Sequence, residues 1–295
     1  MKLVMYEAQG QRSPGLLSED GHQIMPLAAL GFEVPDLMAF IRLGDAALAE
    51  LSGKAVFTDV AISTSDVTLL APIPNPEQDV ICLGINYMAH AAESARYKKE
   101  AFGGERPYAV YFSKRVNEAV APYGQIDAHA DMVDSLDYEA ELALIIGKEA
   151  RHVAEKDVKD YIFGYTVLND VSARNIQTRH KQWYFGKSLD GFTPMGPCIA
   201  TRDSFAWPPV LGIRSYVNGE LRQNSDTGLL IFGIDHVVSE LSRGMTLRPG
   251  TIISMGTPAG VGMGFVPPRF LRSGDVVECV IDGIGSIRNT VIDER

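Results

Sequence analysis

Short apolar runs with β-strand character follow one another from Val80 to near the end of the chain: VICLGI, YAVYFSK, ELALIIG, FGYTVLND, IRSYVNGE, GTIISMG and DVVECVIDGIGSIRNTV. Most are separated by glycine or proline, which this sequence carries 28 and 16 times. Helical patterns are fewer and irregularly placed, at 87–96, 154–160, 172–180 and 233–243. A doubly wound parallel sheet needs strands and helices in regular alternation, and this order lacks it. The pattern predicts a predominantly β protein of the α+β class, built on a mixed sheet, roll or barrel-like arrangement.

The chain of 295 residues has room for one or two domains. Residues 1–70 read as a small α+β unit. LVMYEA suits a strand, and GLLSEDGHQIMPL suits a hairpin around Glu19, Asp20 and Gly21. Residues 36–51 suit one helix, or two short ones broken near Gly44. APIPNPEQ at 71–78 then places three prolines where regular strand pairing fails. A boundary near 75 is expected, with a small domain over 1–75 and a larger one over 76–295.

Lys and Arg number 27 against 37 Asp and Glu, a net charge of −10. Such a surface repels phosphate backbones and anionic lipid, so neither nucleic acid nor membrane is an expected partner. A local cation can still bind a small anion. No apolar run approaches the ~18 residues of a spanning helix. MKLVMYEAQG lacks a signal-peptide pattern. Cys82, Cys198 and Cys279 are widely spaced and odd in number. They read as reduced thiols in a cytoplasmic protein.

The stretch Asp137-Tyr138-Glu139-Ala140-Glu141 leads into the apolar strand LALIIG. Side chains two apart on a strand share a face, so Glu139 and Glu141 lie side by side, a costly arrangement without a cation between them. A second β-like run, FGYTVLND, ends at Asp170. Three carboxylates suit a hard divalent ion, Mg2+ or Mn2+, better than zinc. Unrelated acids on a solvated strand end give the same pattern, and sequence cannot show that the three meet.

His90 and Glu93 are three apart in YMAHAAE and share one face of a helical turn. The carboxylate can orient the imidazole and raise its basicity, as a water-activating base requires. The same spacing also occurs in ordinary surface pairs. Lys187 sits in GKSLDGFTPMGP among Trp183, Tyr184, Phe185 and Phe192. It would present a cation to an anionic substrate or enolate. It is not a P-loop lysine, because the first glycine of that motif would fall at Lys181. GTPAGVGMG at 256–264 is a tight loop whose N–H groups and Thr257 hydroxyl suit a carboxylate, or simply a turn. No G-x-S-x-G nucleophile elbow is present.

Taken in order, GINYMAHAAE, DYEAELALIIGK, GYTVLNDVSARNIQ, GKSLDGFTPMGP, VNGELRQ and GTPAGVG resemble the fumarylacetoacetate hydrolase family over about residues 79–290. The resemblance implies a mixed β-roll catalytic domain, a smaller N-terminal domain, a divalent metal and a homodimer. It implies metal ligation by Glu139, Glu141 and Asp170. His90 and Glu93 match the pair on the lid helix, and Lys187 matches the catalytic lysine. Thr257, Arg174 and Gln177 match substrate-contacting positions, as does Gln223 more weakly. The variable segment 94–107 is where substrate choice would lie; Tyr97, Lys98, Lys99, Arg106 and, beside it, Tyr108 read first as a solvated charged loop and otherwise as groups that could meet a distal carboxylate.

The chemistry so implied is formation of a pyruvate-like enolate from a small 2-oxo acid. The leading expectation is hydrolysis of a carbon–carbon bond in a 2,4-dioxo acid, an acylpyruvate such as fumarylpyruvate or maleylpyruvate, giving pyruvate and a carboxylic acid. Oxaloacetate decarboxylation, or isomerisation or hydration of a related oxo-enoic diacid, uses the same scaffold. A non-catalytic keto-acid binder would have no evident use for a water-activating pair.

Overall fold

The structure is a computed structural model and describes residues 1–293 apart from Phe102, Glu105 and Arg106. Arg106, expected near a distal carboxylate, therefore lies outside the described residues. The first strands are β1 (Lys2–Ala8), β2 (Gln11–Leu17), β3 (Gln23–Pro26), β4 (Ile62–Ser63) and β5 (Thr68–Leu70). Helices α1 (Leu37–Arg42) and α2 (Gly44–Lys54) lie between β3 and β4. Then come β6 (Val80–Gly84), α3 (Met88–Lys98), β7 (Val110–Lys114), β8 (Gln125–Asp127), β9 (Leu136–Asp137), β10 (Ala140–Ile146), β11 (Ile162–Asn169) and β12 (Ser172–Ala173). They are followed by α4 (Arg174–His180), α5 (Tyr184–Lys187), β13 (Met195–Thr201), β14 (Gly212–Val217), β15 (Glu220–Asp226) and α6 (Ile234–Gly244). The chain closes with β16 (Ile252–Ser254), β17 (Val276–Ile281) and β18 (Gly285–Ile292).

An eleven-stranded sheet runs in the order β4-β3-β2-β1-β13-β11-β10-β16-β6-β7, with β5 also on β1. A five-stranded sheet runs β15-β14-β17-β18-β8, and β12 pairs with β9. Pairing is antiparallel except for β16 with β6 and β18 with β8. The protein is thus α+β with a mixed sheet and more strand than helix, as the runs predict. The described strands follow open orders and do not close a barrel.

Strand β10 explains the packing. All seven of its residues are buried. Leu142, Leu144 and Ile146 join the cluster that also holds Ile213, Val277, Cys279 and Ile281 of the second sheet. Ala143 and Ile145 join the cluster of Phe40, Ile41 and Leu51 from α1 and α2. A strand covered on both faces has no polar alternation, which is why ELALIIG reads as a continuous apolar run.

The expected break near Gly44 is present: α1 ends at Arg42 and α2 begins at Gly44. Residues 155–161 form a 3-10 rather than an α-helix. No strand occupies the proline segment between β5 and β6. Nevertheless β1 pairs directly with β13, so one sheet runs continuously across position 75.

Candidate active site

Register brings the acidic residues together. Ala140 pairs with Asn169 across β10 and β11, and one step outward the Asp170 N–H donates to the Glu139 carbonyl at 2.9 Å. Asn169 Oδ1 also accepts the Glu139 N–H at 2.9 Å. Glu139 and Asp170 therefore sit opposite one another, with Glu141 two residues along the same strand. Carboxylate oxygens of all three lie within 4.8 Å of one another, and all three residues are buried.

These acids meet several cations. Lys187 Nζ donates to Glu139 Oε2 at 2.7 Å and to Asp170 Oδ2 at 2.6 Å. Lys114, which the sequence reading passed over, ends β7 with its ammonium 2.9 Å from Asp170 Oδ1. It also donates to the carbonyls of Val171, at 3.1 Å, and Lys187. Arg174 Nη2 lies 2.6 Å from Glu139 Oε1, while its Nε donates to Asp137 Oδ2 at 2.9 Å.

The charge balance tests whether a metal fits. Pairing Asp137 with Arg174 leaves three carboxylates against Lys114 and Lys187, one negative charge in excess. Burial, then Asp170 and Glu139, push the Glu141 carboxyl well above its usual range. Burial acts on Glu139 in the same direction, but Lys187 and Arg174 outweigh it and hold that carboxyl below its usual range. Burial opposes the charge on Lys187, yet Asp170 and Glu139 push it up to about 12. Asp170 Oδ1 receives no aligned hydrogen bond although it is buried. Crowded, buried oxygen donors, one of them driven toward protonation, fit a hard divalent cation. With it bound the pocket would carry one positive charge, suited to an anion.

A narrow cavity opens over this cluster. Its lining includes His90, Glu139, Glu141, Arg174, Gln177, Lys187 and Thr257, with Tyr97, Lys98, Phe112 and Trp183 toward the outside. His90 and Glu93 stand on α3, whose start is fixed by Asn86: its amide donates to the carbonyls of Phe232 and Met255 and accepts the Phe232 N–H. His90 Nδ1 lies 3.7 Å from Glu93 Oε2, beyond a hydrogen bond. Both Glu93 oxygens are 3.1 Å from the Gly260 N–H.

Lys187 is delivered by close contact of two helices. A Cβ on Gly186 would lie 2.7 Å from the Gln177 nitrogen and 2.9 Å from the Ala173 carbonyl oxygen. Only glycine lets α5 seat this close to α4. Thr257 Oγ1 donates to the Ala140 carbonyl at 2.9 Å and accepts from Gln223 Nε2 at 2.7 Å. Gln223 also accepts the Ala140 N–H and donates to the Pro258 carbonyl. Its amide thus braces β10 against the glycine loop and is not among the lining residues. Gln177 accepts from Arg174 Nη1 at 3.1 Å. Of the outer residues, Tyr97 and Lys98 line the cavity, Lys99 caps α3 in the left-handed region, and Tyr108 is exposed.

Sequence reasoning missed Lys114 and gave Asp137 no role, though Asp137 stands in the same acidic motif. Three acids at the ends of two strongly apolar strand runs are the signal that a cation must be nearby. Nothing in YFSKR shows that Lys114 supplies it.

The chain is similar over most of its length to several known proteins. The chain is 44% identical over 229 residues, 78% of its length and 74% of the relative's, to a protein named oxaloacetate tautomerase YisK from Bacillus subtilis. A solved fumarylacetoacetate hydrolase from Exiguobacterium antarcticum superposes with a TM-score of 0.85 at 38% identity, covering both chains fully. Maleylpyruvate hydrolase from Sphingobium sp. SYK-6, solved with manganese(II) and pyruvate, covers both chains fully with a TM-score of 0.76 at 31% identity. The model described as the fumarylacetoacetate (FAA) hydrolase C-terminal domain matches residues 79–292. Motif order, sheet topology and the buried acidic triad converge with that match: the chain belongs to the fumarylacetoacetate hydrolase family.

Proposed function

We propose that the protein is a divalent-metal-dependent enzyme that moves a proton at the carbon beside the oxo group of a small 2-oxo diacid, interconverting the keto and enol forms of an oxaloacetate-like substrate. The observation that carries this reading is the convergence of the Glu139, Glu141 and Asp170 carboxylates within 4.8 Å beneath a cavity that His90 and Lys187 also line. Mg2+ or Mn2+, held by those three residues, would supply Lewis-acid stabilisation of negative charge developing on the oxo oxygen.

The chain's own groups do the rest. His90 accepts the proton from C3 and its imidazolium returns that proton to the oxo oxygen, so the enol forms with no atom gained or lost and the base is regenerated. Glu93 faces His90 Nδ1 and orients the ring. Lys187 and Lys114 offset the acids. Arg174, Gln177 and Thr257 orient the substrate carboxylate. The name of the Bacillus relative supports oxaloacetate as the substrate type.

Hydrolysis of an acylpyruvate, the leading expectation from sequence, is the second reading. It is favoured by the pyruvate-bound maleylpyruvate hydrolase of the same fold and by a pair able to deprotonate water. The test is incubation with Mg2+ or Mn2+ and a panel of oxaloacetate and acylpyruvates. Fast keto–enol equilibration of oxaloacetate, abolished by chelator, is the expected result. Pyruvate plus a carboxylic acid from an acylpyruvate establishes hydrolysis, and pyruvate plus carbon dioxide establishes decarboxylation. Full activity in chelator overturns the metal role, and no turnover of any member overturns the reading. The homodimer implied by the family resemblance is the proposed assembly. A sedimentation mass of one 32.2 kDa chain overturns it.

A further inference from the structure

We propose that Asp137 is a positioning residue that seats the His90–Glu93 pair relative to Arg174, acting through the turn at Gly262–Gly264. The inference rests on the proposed proton-carrying role of that pair. Asp137 is fully buried and is not among the cavity-lining residues. Its carboxylate accepts four hydrogen bonds. Oδ1 takes the N–H groups of Tyr138, at 2.9 Å, and Gly262, at 2.6 Å. Oδ2 takes the Met263 N–H at 3.0 Å and Arg174 Nε at 2.9 Å.

The two sides of this carboxylate lead to different parts of the site. On one side Arg174 reaches Glu139, at 2.6 Å, and Gln177, at 3.1 Å. On the other side the turn supports α3. Arg96 donates to the Gly264 carbonyl at 2.8 Å, and the Gly260 N–H holds Glu93. A Cβ on Gly264 would come within 2.5–2.8 Å of the Glu93 carboxyl carbon and oxygens. The loop therefore sets where Glu93 stands, and Asp137 sets where the loop stands. His90 Nδ1 is buried without an aligned partner. A small movement of Glu93 decides whether the two hydrogen-bond.

An asparagine at this position offers one oxygen and an NH2 group where four donors converge. Asp137→Asn thus turns attraction into donor–donor opposition without changing size. The experiment is a double-mutant cycle on kcat of the Mn2+-loaded enzyme, using the panel's preferred reaction. Glu93→Gln is expected to lower kcat about 100-fold and D137N about tenfold. The double variant should be no more than about twofold slower than E93Q, because both changes act on one element. D137N should also shift the pH–rate profile and, by removing a buried negative charge beside Arg174, weaken Mn2+ binding, whereas Gly264→Ala, which changes no charge, should leave Mn2+ affinity within about twofold of wild type.

The nearest atoms to the methyl of Gly264→Ala are those of the Glu93 carboxyl, the far end of a flexible side chain. This variant should reproduce the slow rate and shifted pH profile at an unchanged melting temperature. Multiplying losses, or a D137N enzyme as fast as wild type, overturn the inference alone. An E93Q enzyme as fast as wild type overturns the proton-carrying reading and the inference with it. If D137N does not fold, Asp137→Ser keeps one acceptor and serves in the same cycle. Failure of both to fold shows a purely structural carboxylate and likewise overturns the proposal.

Discussion

His90 Nδ1 is buried and faces Glu93 across 3.7 Å, and His90 lines the cavity over the acids. His90→Ala removes that base and touches no carboxylate of the triad. Turnover is expected to fall by about 10²–10⁴, with Mn2+ affinity by calorimetry unchanged. An unchanged rate would refute the assignment. Glu141→Gln should instead weaken Mn2+ binding and leave activity that excess metal restores only in part. Glu141 also carries a pH signature. Its folded-state carboxyl titrates above the ordinary value of 4.5, so in metal-free protein its contribution to stability is full below that value and declines as pH rises toward the raised one. Metal binding must displace the proton held in that window. Calorimetry in two buffers of different ionisation heat should show proton release, and apparent affinity should climb with pH through the window. At this scale the sequence was informative where spacing acts locally: Glu-x-Glu and His-x-x-Glu each fix a shared face. It was silent on Lys114 and on the use of Asp137. Their partners lie up to 126 residues away, and no local period records such contacts.

The same division holds for elements. The break at Gly44 was legible because turn chemistry is local, whereas the Asn86 bonds that fix the start of α3 reach Phe232 and Met255. The continuous apolar runs of β10 and β11 were legible as strands. The covering layers, two helices from the first 54 residues on one side and a second sheet on the other, were not legible, since burial says nothing about what buries. The seating of α5 on α4 gives an element-scale prediction. Gly186→Ala would force its new methyl against backbone at 2.7 and 2.9 Å, where no flexible side chain can yield. We expect a loss of about 1–3 kcal/mol in stability, read from denaturant titration. A drop in kcat should accompany it as Lys187 moves from Glu139 and Asp170. A fully stable, fully active variant would show that the helices can separate without effect.

For the whole molecule, the buried charge excess links folding to metal. Ion binding to the folded chain alone should raise the melting temperature. At a free concentration a hundred times Kd the added stability is about 2.7 kcal/mol, and chelator should reverse it. A melting temperature indifferent to both Mg2+ and Mn2+ would contradict the acidic site as a metal site. The backbone bond between Asp170 and Glu139 has a further bearing. The ion's grip is set by the spacing of two interior strands, whereas His90, Tyr97 and Lys98 come from one helix resting on a glycine loop. On the proposed function, anchoring and selection would be carried by different elements. Transplanting α3 from another member of the family, together with a matching glycine loop, is therefore a route to retargeting the enzyme while its electrostatic anchor stays as it is.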